Sequence, residues 1–256
     1  MAYEPKQIEA CTVVLLELME LLAPWEGHIV VVGGYAVQLM LSARGRQVGS
    51  DYVGTMDVDL MGDLPSVAAR RLRGTLLDAG YTEDGQMTDR LIRIVDVAGK
   101  PYEVPVDLMF GVSSERRRYL EGADAQRLRG RLPSGTRTEA RVPIASLPDL
   151  LLMKMRAYAD ENDKGKDGYD VYQLIRHGAA SPEALARRVA KALPDELLTE
   201  LVGNLELFFL QKRRATRDAA MVMRDYHNQL KTEALRDVQQ IVTRFVAGLR
   251  RATENG

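Results

Sequence analysis

The spacing of apolar residues changes character once along this chain, near residue 145, and that change limits the folds open to it. Before it, short β-branched and alternating runs are mixed with helical ones; after it, every periodic stretch is helical. Residues 5–22 carry Ile8, Cys11, Val14, Leu15, Leu18 and Leu22 at helical spacing, and Pro24 stops the run. His28-Ile29-Val30-Val31-Val32 reads as a short strand, followed by Gly33-Gly34 and a helix over 35–42. A polar, glycine-containing loop is expected over 43–54. Met56-Asp57-Val58-Asp59-Leu60 then alternates apolar and acidic residues, which is the period of a strand. Pro65 opens a helix ending at Asp78, with Gly80 as its stop. Residues 90–97 and 102–109 predict a hairpin turned at Gly99-Lys100-Pro101, and 138–144 predicts a last strand. The stretch 111–136 reads as loop-rich and basic. Helices follow over 147–159, 168–176 and 182–193, then on to about residue 250. The expected class is α+β: a mixed sheet with flanking helices over residues 1–145, then a helical bundle over 146–256.

Composition narrows the function classes. The 256 residues carry a net charge of −1, which argues against a surface coated in positive charge. A local basic groove remains open. Arg116, Arg117, Arg118, Arg127, Arg129, Arg131, Arg137 and Arg141 lie in 112–141 with few acids and no lysine. Such a stretch suits bidentate phosphate contacts and equally suits a solvated face. The run Gln211 to Arg217 has the same two readings. No apolar run approaches the roughly 20 residues that span a bilayer. The N-terminus lacks the pattern of a secretory leader, so the expected location is the cytoplasm, with no membrane partner. The one cysteine, Cys11, sits in an apolar helix face and predicts a buried small hydrophobe.

The chemistry centres on Asp57 and Asp59. Residues i and i+2 of a strand point to one face, so the two carboxylates are neighbours while Met56, Val58 and Leu60 point to the core. Two such charges repel unless a cation lies between them, and hard divalent ions with oxygen ligands serve that purpose. Alone, an Asp-x-Asp also fits a solvated turn. Gly33-Gly34, between a strand and a helix start, fits a phosphate cradle and equally a tight turn with no ligand. No G-x-G-x-x-G and no Walker lysine are present, which disfavours Rossmann and P-loop readings. Asp107, on the second strand of the hairpin, would complete three carboxylates if that strand pairs beside the Asp57 strand. It could also be an edge-strand acid, given Pro105.

Gly33-Gly34, Asp57-x-Asp59 and Asp107 together resemble the nucleotidyltransferase superfamily of the polymerase-beta type. Lys154-x-x-Ala157 followed by Lys166-Asp167-x-x-Asp170 resembles the second motif of the AbiEii-type nucleotidyltransferases, which include toxins of toxin–antitoxin pairs. Two positions differ from the family pattern. Val53 stands where a basic residue is usual, and no arginine lies between Ala157 and Lys166.

The resemblance implies transfer of a nucleoside monophosphate from a nucleoside triphosphate to a hydroxyl, with two magnesium ions held by Asp57, Asp59 and Asp107. It gives Lys154 and Asp170 catalytic roles. It gives Gly33, Gly34, Thr55 or Ser50, Lys166 and Asp167 contacts with the nucleotide. It also implies an RNA acceptor, most naturally the acceptor end of tRNA, and a cognate antitoxin. Two other readings stand beside it. An aminoglycoside-type nucleotidyltransferase would use the acids at 160–163 for a cationic acceptor. A non-catalytic module would bind nucleotide without turnover.

Overall fold

A computed structural model describes residues 5–46, 52–160, 165–227 and 229–254. The described residues form two compact units. One comprises 2–39 with 53–146, and the other comprises 40–52 with 147–256.

The first unit is built on a seven-stranded mixed sheet. Its strands are β1 (Ile29–Val32), β2 (Val58–Asp63), β3 (Thr82–Glu83), β4 (Arg90–Val97), β5 (Lys100–Gly111), β6 (Asp124–Arg131) and β7 (Arg137–Ile144). They lie in the order β3-β4-β5-β2-β1-β7-β6. β2 runs antiparallel to β1 and parallel to β5, while β7 runs parallel to β1. Four buried residues in β1 make the centre of the sheet apolar, as a strand covered on both faces requires. The helices are α1 (Pro5–Leu21), α2 (Gly33–Ser42), α3 (Ser66–Asp78) and α4 (Ser114–Glu121). α1 lies across β4, β5, β6 and β7 and buries Cys11, Val14, Leu15 and Leu18. Arg93 of β4 donates two hydrogen bonds to Glu17 of α1, at 2.8 and 2.6 Å, which pins the helix to the sheet.

The α+β expectation holds, with four local corrections. β2 begins at Val58, two residues later than the alternation suggested, because its ladders to β1 and β5 start there. Met56 is therefore exposed rather than in the core, while Val58 and Leu60 are fully buried. The hairpin turns at Ala98-Gly99, both with positive φ (55° and 80°), so Lys100 and Pro101 already belong to β5. Two consecutive left-handed residues make the turn whose twist matches that of the strands it joins. β5 is interior, so Asp107 is not an edge-strand acid despite Pro105. Finally, the stretch 111–136, expected to be loop-rich, is largely regular, with α4 and β6 inside it. Ser113 caps α4 by accepting a hydrogen bond from the Arg116 amide at 3.1 Å, and β6 pairs with β7 along its whole length. β6 has no apolar stripe, so its identity comes from pairing rather than from periodicity.

The second unit is helical. It contains α5 (Leu147–Asp160), α6 (Gly165–His177), α7 (Pro182–Ala192), α8 (Asp195–Leu205), a π-helical turn (Glu206–Gln211), α9 (Arg214–His227) and α10 (Lys231–Glu254). α6 is buried almost throughout, against α5 and α9. Phe209 and Phe245 fill this core. Among the described residues, no helix is long and apolar enough to cross a membrane.

Candidate active site

Three strands bring the acids together. Register places Asp59 of β2 opposite Asp107 of β5 on one side and Val32, the last residue of β1, on the other. Asp57 lies just before β2, two residues from Asp59. Carboxylate oxygens of Asp57, Asp59 and Asp107 all lie within 4.8 Å of one another, and each residue is half-buried. Among the described residues this is the group of three or more potential ligands that could hold a metal ion. At that separation two carboxylates repel by about 3 kcal/mol for an effective dielectric near 20. All the donors are hard carboxylate oxygens, the set that magnesium or manganese takes and zinc seldom does. The residues therefore fit the divalent ion that the resemblance implies.

Gly33 makes the convergence sterically feasible. Its φ is +64°, and a Cβ placed there would lie 1.8 Å from Asp59 Oδ2. The glycine at the mouth of β1 thus admits the Asp59 carboxylate as well as opening α2, where Gly34 follows. Thr55 is buried, and its hydroxyl donates a short hydrogen bond to Asp57 Oδ1. Its carbonyl accepts the Cys11 thiol at 3.9 Å. Burial, with help from the Asp57 charge, pushes that thiol up to about 12. Cys11 is thus a core residue behind the site, as expected.

Sequence reasoning missed Arg90. Its Nε and Nη2 donate to the two oxygens of Asp107 at 2.6 and 2.8 Å, a bidentate pair across the β4–β5 hairpin. The signal was present: with the turn at 98–99, counting back along both strands sets Arg90 opposite Asp107. A turn read at 99–101 shifts that register and hides the pair.

The second motif lies in the helical unit. Lys154 of α5 contacts Asp167 at 2.7 Å and Asp170 at 3.0 Å, both on α6. Lys166 reaches Asp170 at 3.0 Å from one turn earlier on the same helix, as its i,i+4 spacing predicts. Tyr52, also absent from the sequence reading, donates its hydroxyl to Asp170 Oδ1 at 2.8 Å and stacks on Tyr169. Asp170 is fully buried. Burial pushes its carboxyl up, but Lys166, Lys154 and hydrogen bonds from Lys154 and Tyr52 outweigh this and hold it below the usual carboxylate range. Burial likewise pulls the Lys154 ammonium down, and Asp170 and Asp167 more than reverse the effect. Ser50 and residues 161–163 of the acidic cluster lie outside the described residues.

The sequence matches the family model for the nucleotidyl transferase AbiEii toxin, Type IV TA system, over residues 17–244. The chain belongs to this family. It is accordingly a nucleotidyltransferase of the toxin–antitoxin class, and the family implies a nucleotide substrate and an antitoxin partner. No curated protein matches the sequence at a significant level. Among solved structures, JHP933 from Helicobacter pylori aligns with a TM-score of 0.50 at 13% identity, over 100% of this chain and 97% of its own. A second H. pylori structure, assigned as a nucleotidyltransferase, aligns with a TM-score of 0.52 at 12% identity, over 97% of each chain. At such identities the likeness concerns the fold alone.

Proposed function

We propose that this AbiEii-family protein transfers a nucleoside monophosphate from a nucleoside triphosphate to a hydroxyl of RNA, at the acceptor end of tRNA, in a reaction that depends on magnesium. The single observation carrying this reading is the convergence of Asp57, Asp59 and Asp107 beside Gly33. Three like charges kept within contact range are costly unless a cation completes them.

In this reading Asp57, Asp59 and Asp107 would hold two magnesium ions, which would supply a lowered pKa at the acceptor hydroxyl and charge neutralisation at the departing pyrophosphate. The remaining work falls to the chain itself. Gly33 and Gly34 let the backbone and the α2 N-terminus approach the triphosphate. The Thr55 hydroxyl holds Asp57 in one rotamer by donating to it. Arg90 fixes the plane of the Asp107 carboxylate, the group nearest in role to the attacking hydroxyl. Lys154 and Asp170 act in catalysis, and Lys166 and Asp167 in nucleotide binding, as the family motif implies.

The test combines the protein, magnesium, total tRNA and each labelled nucleoside triphosphate in turn. The expected result is label incorporated into tRNA and lost on chelation of the metal. No labelled RNA with any triphosphate would overturn the acceptor assignment. Undiminished labelling with chelator present would overturn the metal dependence.

A further inference from the structure

The hairpin of β6 and β7 carries a feature that the site chemistry leaves unused. β6 alternates exposed and partly buried residues along its length, and the exposed set is Ala125, Arg127, Arg129 and Arg131. Its partner β7 exposes Arg137, Glu139 and Arg141. Register sets Arg127 directly opposite Arg141 and Arg131 directly opposite Arg137, with Glu139 opposite Arg129 between them. Arg127 and Arg129 are 74% and 75% exposed along their side chains.

Like charges directly opposite each other destabilise a strand pair. Here two of three consecutive exposed pairs are of that kind, and the one acid is shared by Arg127 and Arg129. Protection of a sheet edge against unwanted pairing explains charges on β6, which is an edge strand. Edge protection calls for charge but not for like charge set directly opposite like, so it leaves the matching arginines of β7 unexplained; β7 meets β1 at Val31–Ile144, beyond the arginine rows. A row of guanidinium groups spaced two residues apart, about 6.8 Å, is what a phosphodiester chain would neutralise.

Register also fixes which face the row occupies. Leu60 is level with Val31, Val31 with Ile144, and Ile144 with Asp124. The alternate residues of these strands therefore share the opposite face: Asp59, Asp107 and the five arginines. Gly130 gives independent support. A Cβ on it would meet Leu16 and Thr12 of α1, so the even-numbered residues of β6 face α1 and the arginines face away from it. Counting along β7, the row begins about four residues, roughly 13 Å, from the level of Asp59 and runs onward from there.

We infer that this arginine ladder is a docking track for the phosphate backbone of RNA, placed on the same sheet face as the acidic triad. The inference rests on the RNA acceptor proposed above and names the surface that would hold it. An RNA end presented to the triad would lay the phosphates of its preceding nucleotides along the ladder. Arginine suits this role better than lysine because each planar fork can take a phosphate bidentately.

The experiment measures binding of labelled total tRNA to the full-length protein carrying Asp57→Asn, without triphosphate, across a range of salt concentrations. In that background Arg127, Arg131, Arg137 and Arg141 are all replaced by Gln. The expected result is an affinity loss of more than tenfold near physiological salt. The slope of log affinity against log salt should flatten by roughly 3, the amount for four lost phosphate contacts. The pair variant Arg131→Gln with Arg137→Gln should give about half of that change. The thermal midpoint should hold or rise, since like-charge pairs are removed. An unchanged salt slope overturns the proposal. So does a fall in the midpoint with tRNA binding intact, which would mark the arginines as structural. Arginine-dependent binding of poly-glutamate with no change for tRNA would also overturn it, in favour of an acidic protein partner. Because no triphosphate is present, failure here is distinct from failure of RNA labelling by the unmodified enzyme.

Discussion

Two clusters of ionisable residues stand in contrast in this molecule. In the sheet unit, Asp57, Asp59 and Asp107 gather charge of one sign at half-buried positions, with Arg90 paired to Asp107 and the Thr55 hydroxyl donating to Asp57. In the helical unit, Lys154, Lys166, Asp167 and Asp170 pair opposite signs within about one hydrogen-bond length, and Asp170 is completely buried. The first arrangement gathers like charge on hard oxygen donors, which suits the divalent cation proposed above. The second is complete in itself and can support the fold with no ligand. The two clusters thus differ in sign pattern, and in the second the ion pairs that join α5 to α6 also hold Lys154 and Asp170 in place for the roles proposed above.

The sharpest way to break that contrast is Asp59→Asn. Loss of an ion-holding carboxylate should lower transfer by on the order of a thousandfold or more, since each 1.36 kcal/mol of lost stabilisation is tenfold in rate. The thermal midpoint without metal should stay or rise, because a repulsion is removed. Labelled-triphosphate transfer and a melting curve read both, and a lower midpoint with intact transfer would put the triad in the structural class.

Asp170→Ala should do the reverse and act first on stability. Removing one partner of a buried pair costs about 3–5 kcal/mol, read from denaturant unfolding. The pH dependence follows with its sign. The Asp170 carboxyl lies below its ordinary 3.8 in the folded state, so its contribution is present above 3.8 and is lost as pH falls through the folded value. The Lys154 ammonium lies above its ordinary 10.5, so its contribution is present below 10.5 and is lost as pH rises through its folded value. Stability should therefore plateau between these limits, and Asp170→Asn should flatten the acid limb relative to the unmodified protein.

Gly33→Ala comes next. The added Cβ meets Asp59 Oδ2 at 1.8 Å and sits at a φ that alanine rarely adopts. The expected cost is about 1–2 kcal/mol of stability with a fall of roughly tenfold to a hundredfold in transfer. Serine at the same position should be no better, and full activity in Gly33→Ala would show that Asp59 can move without loss.

The smallest effect is expected for Arg90→Gln. Removing the guanidinium lets the Asp107 carboxylate rotate, so the magnesium concentration giving half-maximal transfer should rise a few-fold, and stability should change by about 1 kcal/mol or less. A fall in the magnesium requirement would show that Arg90 competes with the ion for Asp107 rather than orienting it.

Legibility from sequence followed the same divide. Asp57 and Asp59 stood out because a two-residue alternation shows on its face which side chains are neighbours. Lys166 and Asp170 did so through helical spacing, and the structure confirms their ion pair. Arg90 and Tyr52 did not, because each reaches its partner through long-range contact. Arg90 depends on where the hairpin turns, and Tyr52 meets Asp170 from 118 residues away. β6 was hidden because its exposed face is arginine and its inner face includes Gln126 and Gly130, so no apolar period marks it.

By itself the sequence determined the α+β order of elements, the family and the identity of the acids, because local periodicity and short motifs are encoded in neighbouring residues. Tertiary structure decided that Asp107 stands beside Asp59, that Gly33 leaves room for the carboxylate, and that the β6–β7 arginines share its face. Those outcomes depend on strand order and register, which are set by pairing between segments far apart in the chain.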